Sequence, residues 1–111
     1  MKTAPRRMEA KSMESRLVHF LDGEGRLKTL PAKRKMKLHA LAYLAARFEP
    51  QKVYTEKEVN ALLNQWHTFG DPATLRRELY DGRFLDRDAF GRSYWLEETQ
   101  PTLEDPQHKL G

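Results

Sequence analysis

The sequence has 111 residues, a formal net charge of +4 and no cysteine. This length fits one small domain, and the lack of cysteine excludes disulfides, cysteine-based zinc sites and thiol catalysis. No apolar stretch approaches the roughly 18 residues of a membrane span, and no signal-peptide core follows the basic N-terminus. We therefore expect a soluble, cytoplasmic protein that does not enter a membrane.

The positive charge is concentrated in the first half of the chain. Residues 1–47 carry twelve Lys or Arg and four Asp or Glu, a sum of +8, whereas residues 48–111 sum to −4. Residues 71–96 hold five arginines and five acidic residues. DNA-binding elements usually concentrate positive charge, because phosphate neutralisation supplies most of the nonspecific affinity. The neutral sum over residues 71–96 therefore argues against a simple DNA-binding role.

The N-terminal region is predicted to contain an arm and a helix. Residues 1–8 carry three cations and a proline without periodicity, which favours a flexible basic arm. Residues 9–21 are predicted to form an amphipathic helix, which either packs on the rest of the chain or forms a homodimer with a second copy. Its apolar positions have helical spacing: Met13, Leu17, Phe20 and Leu21.

Pro31 precedes a second predicted helix, over residues 32–48, with apolar positions on one side. Its first turn contains four cations, at positions where the helix dipole disfavours positive charge by roughly 0.3–1 kcal/mol each. Two interpretations stay open, a solvated turn or a patch for phosphate or an acidic partner. The four cations are Lys33, Arg34, Lys35 and Lys37.

A short strand and a third helix are predicted next. Thr55 and Glu58 have the spacing of a capping box, so this helix begins at Glu56. Its apolar stripe has the spacing i, i+3, i+4 and i+7. The stripe consists of Val59, Leu62, Leu63 and Trp66.

The last predicted elements are a fourth helix and a β-hairpin. Asp71 and Pro72 favour a helix start, and Gly82 is expected to end that helix in a left-handed conformation. Strands at residues 84–88 and 92–96 would flank a three-residue turn with Gly91 at its left-handed position. The acidic segment 97–111, with two prolines, is predicted to be a disordered tail.

This order predicts an α+β fold, a winged helix-turn-helix with an additional N-terminal helix and a C-terminal β-hairpin wing. The single domain would span residues 9–96, with the winged core at residues 31–96. The helix at residues 72–81 would be the recognition helix, and the hairpin at residues 84–96 the wing.

Several blocks resemble the bacterial domain-of-unknown-function family 2087. They are LPAKRKMKLHALAYLAARFEP, VYTEKEVNALLNQWH, ATLRRELYDGRFLDRD and SYW. The resemblance covers about residues 20–96 and implies a winged-helix domain that occurs alone or fused to transcriptional regulators. The family's TLRREL block corresponds to residues 74–79, and its aromatic pair to Tyr94 and Trp95. Residues 68–72 depart from the shorter acidic turn of many members, and the resemblance implies no catalytic residue.

We predict a DNA-binding role in transcription regulation. On the recognition helix, Thr74, Arg76, Arg77 and Tyr80 would face the major groove, where arginine fits the O6 and N7 atoms of guanine. Arg87 and Arg92 on the wing would contact phosphates. The four cations at residues 33–37 would add phosphate contacts if they lie on the same side. The open alternative is that the helix arginines pair with acidic residues of the protein's own surface.

The sequence permits two other classes of function. A non-enzymatic protein-interaction or dimerisation module with the same fold is the alternative, and an exposed Trp95 would favour it. An enzyme is disfavoured, because the four histidines lack metal-ligand spacing and no nucleophile or phosphate-loop motif occurs. We expect no catalytic residue, no metal site and no cofactor.

Overall fold

The computed structural model describes residues 16–103, which form a mixed α+β fold with three helices and a three-stranded antiparallel sheet. The helices are α1 (Arg34–Ala45), α2 (Glu56–Asn64) and α3 (Pro72–Asp81). The strands are β1 (Tyr54–Thr55), β2 (Leu85–Arg87) and β3 (Ser93–Leu96). Along the chain the elements run α1, β1, α2, α3, β2, β3, after a 3-10 turn at Val18–Phe20.

The sheet has β3 at its centre, between β1 and β2. Tyr94 of β3 lies opposite Tyr54 of β1 on one side and Arg87 of β2 on the other. The predicted hairpin is thus present with slightly shorter strands. Gly91 in its turn has a φ of +70°, so the prediction of a left-handed glycine there is confirmed.

The hydrophobic core lies between the helices and the sheet. Each helix contributes fully buried leucines, such as Leu44, Leu63 and Leu79, and Leu85 of β2 completes the contact. In the predicted stripe of α2, Val59 and Leu63 are buried, whereas Leu62 and Trp66 are half-buried. α2 and α3 pack against the sheet, and α1 packs against α3.

The starts of α2 and α3 are fixed by side-chain caps, as predicted. Thr55 Oγ1 accepts a hydrogen bond from the Glu58 amide at 3.1 Å, and Glu58 Oε1 accepts one from the Thr55 amide at 2.9 Å. At the start of α3, Asp71 Oδ1 accepts from the Thr74 amide at 3.2 Å. Each cap satisfies amide groups that have no partner within the helix.

The end of α3 differs from the prediction. Gly82 has a φ of −84°, and the following Arg83 has the left-handed conformation with a φ of +69°. A Cβ atom at Gly82 would lie 3.1 Å from the Glu78 carbonyl oxygen and 3.3 Å from the Phe84 ring. A side chain at this position would be tightly packed, so glycine suits the site by its small size and not by a left-handed backbone.

Other boundaries also differ from the sequence prediction. α1 is shorter than predicted at both ends, and Lys33 is its N-cap residue without a side-chain cap. In the segment assigned to the tail, Gln100 Nε2 donates to the Phe84 carbonyl at 3.0 Å and Leu103 packs on the core. The arm at residues 1–8, residues 9–15 of the predicted first helix and residues 104–111 lie outside the described residues. The described end of that predicted helix is not α-helical, because Val18–Phe20 form the 3-10 turn and Leu21 forms a β-bridge with Leu27. Within residues 16–103, no helix is long and apolar enough to cross a membrane.

Candidate nucleic-acid interface

The outward face of α3 is exposed and carries an arginine. Leu75 and Leu79 are buried on one side of the helix. With 3.6 residues per turn, the opposite side presents Thr74 and Arg77, and both are exposed. Arg77 forms no ion pair or hydrogen bond with any residue in the described part of the chain. Arg77 is therefore free to contact a partner, whereas the Thr74 side chain is hydrogen-bonded to the Asp71 carboxylate that caps the helix.

Arg76 has a different environment from its neighbour Arg77. Only 17% of its side chain is exposed, and its Nη2 atom lies 3.2 Å from Glu56 Oε2. Its Nη1 atom donates to Asn60 Oδ1, and its guanidinium lies 5.9 Å from the centre of the Tyr94 ring. Arg76 therefore connects α3 to α2 and the sheet, and its side chain is not presented on the outward face.

Tyr80 and Arg87, both predicted to face DNA, contact each other. The Arg87 guanidinium lies 4.6 Å from the centre of the Tyr80 ring, and both residues are half-buried. A Cβ atom at Gly91 would lie 2.6 Å from Arg87 Nη1, so the glycine leaves room for this contact. The stacked pair attaches the β2–β3 hairpin to α3.

The hairpin tip, residues 88–92, is an ordered turn that presents an aromatic ring. Asp88 Oδ1 accepts a hydrogen bond from the Arg92 amide at 2.8 Å, and the Asp88 carbonyl accepts from the Gly91 amide at 3.2 Å. Hydrogen bonds from backbone amides, above all that of Arg92, lower the pKa of the Asp88 carboxyl. Phe90 is 78% exposed, with the Arg92 guanidinium 5.4 Å from its ring centre.

The cations of α1 lie beside α3. Lys37 Nζ is 3.6 Å from Glu78 Oε1, which places the first turns of α1 next to the flank of α3. Lys33 is four residues before Lys37 and so lies on the same face of α1. Lys33, Arg34 and Lys35 are exposed, whereas Lys37 is partly buried by its ion pair. The ion pair places Lys37 at the flank of α3, and the phosphate contacts of these cations stay a prediction.

A family model supports the family resemblance that the sequence blocks indicate. The model is described as an uncharacterized protein conserved in bacteria (DUF2087), and it matches residues 26–96. The chain belongs to this family. The matched DUF2087 region contains all three helices and all three strands. No curated protein and no solved structure matches the chain.

The turn between α2 and α3 is organised by His67. The buried ring has Nδ1 2.6 Å from the Leu63 carbonyl oxygen, and its Nε2 accepts from the Asp71 amide at 2.8 Å. A neutral imidazole with its proton on Nδ1 satisfies both contacts. His67 therefore joins the end of α2 to the cap of α3, a role that its isolated position in the sequence did not indicate.

The neutral charge sum of residues 71–96 in this DUF2087 chain hides a local separation of charges. Asp71 and Asp88 accept hydrogen bonds from amides of their own turns, and Glu78 pairs with Lys37 of α1. Arg77 and Arg92 are exposed and form no ion pair with another described residue. Their positive charges therefore remain available on the side of α3 and the hairpin tip.

Proposed function

We propose that this DUF2087 chain is a winged helix-turn-helix that binds duplex DNA and takes part in transcription regulation. The order α1, β1, α2, α3, β2, β3, with β3 central in the sheet, supports this fold assignment. α3 is the recognition helix and the β2–β3 hairpin is the wing. The protein acts by binding, without catalysis.

The observation that carries this proposal is the outward position of Arg77. Its guanidinium is exposed on α3 and has no partner among residues 16–103. An arginine at the surface of a recognition helix can donate two hydrogen bonds to the O6 and N7 atoms of guanine. Arg77 is thus the residue assigned to base contact, with Thr74 beside it. Arg76 is assigned to support of the helix.

Phosphate contacts are assigned to cations on both sides of α3. On one side are Lys33, Arg34 and Lys35 at the start of α1, and on the other is Arg92 at the hairpin tip. Contacts of this kind orient a protein on the duplex and supply affinity that depends on salt. They also explain how a nearly neutral recognition helix could bind DNA.

The test compares Arg77→Ala with Lys28→Ala, in the loop before α1, on the tightest duplex selected from a random pool at low salt. Both variants lose one positive charge at an exposed site. Arg77→Ala is expected to weaken binding about tenfold or more, because a bidentate arginine–guanine pair contributes about 1–3 kcal/mol. Lys28→Ala should change affinity about twofold or less, since it removes only diffuse attraction.

Two outcomes would contradict the proposal. If no duplex is retained by the wild type at low salt, DNA binding is rejected and a protein-interaction module becomes the better account. If Arg77→Ala and Lys28→Ala weaken binding equally, the base-contact role of Arg77 is wrong.

A further inference from the structure

The hairpin tip carries the most exposed large apolar side chain in the described part of the chain. Phe90 is 78% exposed, compared with 61% for Val53 and 59% for Val18. A single exposed apolar residue is common on protein surfaces, but this one lies at the tip of the proposed wing, beside the Arg92 guanidinium. Phe90 is therefore a candidate contact residue that charge patterns alone do not identify.

The backbone of the tip is held in place relative to α3. Asp88 closes the turn through the Arg92 amide at 2.8 Å, and Arg87 below the tip stacks on Tyr80 of α3 at 4.6 Å. The carboxylate of Asp88 accepts this bond from within the turn, and the exposed side chains at the tip are Ala89, Phe90 and Arg92. When α3 lies in a groove, the tip is therefore presented to the duplex at a defined offset.

The charge of this surface favours DNA over a protein partner, because its exposed charged side chain, Arg92, is positive and duplex DNA is negative along its whole length. A single apolar wedge is enough for a nucleic-acid contact, because minor-groove proteins insert one such side chain at a base step. The Arg92 guanidinium beside the ring adds the positive charge that a narrow minor groove attracts.

We propose that Phe90 enters the minor groove of the bound duplex as an apolar wedge, with Arg92 beside it, and that this contact discriminates between minor grooves of different chemistry. The proposal rests on the DNA binding proposed above. The minor groove of a G·C pair carries the guanine N2 amino group, which A·T pairs lack. The wedge and the arginine are impeded by that group, so the tip favours grooves without it.

The experiment uses duplexes that differ only in the minor groove. The base pairs that flank the α3 site in the selected duplex are replaced by G·C pairs in one duplex and by inosine·C pairs in a second. Inosine lacks the N2 amino group but keeps O6 and N7 in the major groove. Wild-type full-length protein is expected to bind the inosine duplex about tenfold tighter, the size of one base–aromatic contact. Phe90→Ser should lose this preference, and Phe90→Leu should keep most of it.

Val18→Ser is the matched control, because Val18 is also an exposed apolar residue but lies on the 3-10 turn before α1. It should retain the preference for inosine. Phe90 has few contacts to lose, so Phe90→Ser should unfold at the same temperature as the wild type. A thermal unfolding measurement on each variant checks this.

The possible failures are distinguishable. Equal wild-type affinity for both duplexes, or a preference that survives Phe90→Ser, would overturn the wedge while leaving DNA binding intact. Failure of the wild type to bind either duplex at low salt would reject the proposed function as well. Self-association in sedimentation equilibrium that Phe90→Ser abolishes would show that the tip binds a second copy, and would also overturn the wedge.

Discussion

His39 on α1 is buried without a polar partner. Only 6% of its surface is exposed, and neither ring nitrogen has a hydrogen-bond partner among residues 16–103. Burial, followed by the positive charges of Arg16 and Lys35, lowers the pKa of His39 from its usual 6.5. The folded chain therefore resists protonation of a group that the unfolded chain protonates freely.

This difference predicts that acid weakens the fold. The contribution of His39 to stability is constant above the unfolded-state pKa of about 6.5, and it falls as the pH drops from there toward the lower folded-state pKa. The free energy of unfolding should therefore decrease between about pH 7.5 and about pH 5.5 in urea titrations, and His39→Leu should reduce that decrease. His19→Gln, a change at an exposed histidine, should leave it unaltered. An equal decrease in wild type and His39→Leu would contradict this assignment.

Two carboxyl groups that accept backbone hydrogen bonds, Asp71 and Asp22, affect the stability of the fold in a lower pH range than His39. The pKa of Asp71 is lowered by its hydrogen bonds with Thr74, and that of Asp22 by the Arg26 amide. A carboxyl with a lowered pKa stabilises the fold above its unfolded-state value and loses that effect as the pH falls through the folded-state value. Their stabilising effect is therefore lost as the pH falls below about 3.8, outside the pH range in which His39 acts.

At the scale of elements, α2 and α3 form one unit, and α3 carries the proposed recognition surface. His67 joins the end of α2 to the cap of α3, and Arg76 of α3 contacts both Glu56 and Asn60 of α2. These contacts determine the angle between the two helices. The exposed position of Arg77 depends on that angle, because a rotation of α3 would change which arginine faces outward.

Substitutions of the two adjacent arginines should therefore affect different properties, stability at Arg76 and DNA binding at Arg77. Arg76→Ala is expected to lower the free energy of unfolding by about 1–2 kcal/mol, because it removes charged hydrogen bonds from a mostly buried side chain. Arg77→Ala, its neighbour on the exposed face, should change stability by about 0.5 kcal/mol or less. Urea unfolding measures both values at one pH. Equal stabilities of the two variants would show that Arg76 does not support the helix pair.

The sequence predicts those features of this unit that depend on local spacing. Thr55 and Glu58 predict the start of α2, since both hydrogen bonds of the capping box join residues three positions apart. The spacing of Leu75 and Leu79 likewise predicts that Arg77 faces outward. The environment of Arg76 could not be predicted, because its partner Asn60 is sixteen residues away and meets it only through the packing of α2 on α3.

The same limit applies to the hairpin and to Gly82. The left-handed conformation of Gly91 is predicted from the local geometry of a three-residue turn. The stacking of Arg87 on Tyr80 joins two elements, so it follows only from the tertiary structure. The end of α3 at Gly82 was predicted from the local sequence. The tight packing of Gly82 against the Glu78 carbonyl and the Phe84 ring depends on the tertiary structure.

At the scale of the molecule, the excess positive charge and the proposed DNA-contacting surface come from different parts of the chain. Residues 1–47 carry the positive excess, whereas α3 and the hairpin provide the exposed arginine and the ordered tip. The Lys37–Glu78 ion pair brings the first turns of α1 to the side of α3. In the proposed complex, α1 and the hairpin tip therefore contact the duplex on either side of the recognition helix.

The most direct test of DNA binding is an NMR titration of isotope-labelled full-length protein with the selected duplex, at about 50 mM and about 200 mM salt. We predict amide shifts at Ala73, Thr74 and Arg77, at residues 33–35 and at the hairpin tip, with smaller shifts at the higher salt because phosphate contacts release counterions. No shifts at low salt would contradict DNA binding. Shifts confined to residues outside α1, α3 and the tip would contradict the proposed interface.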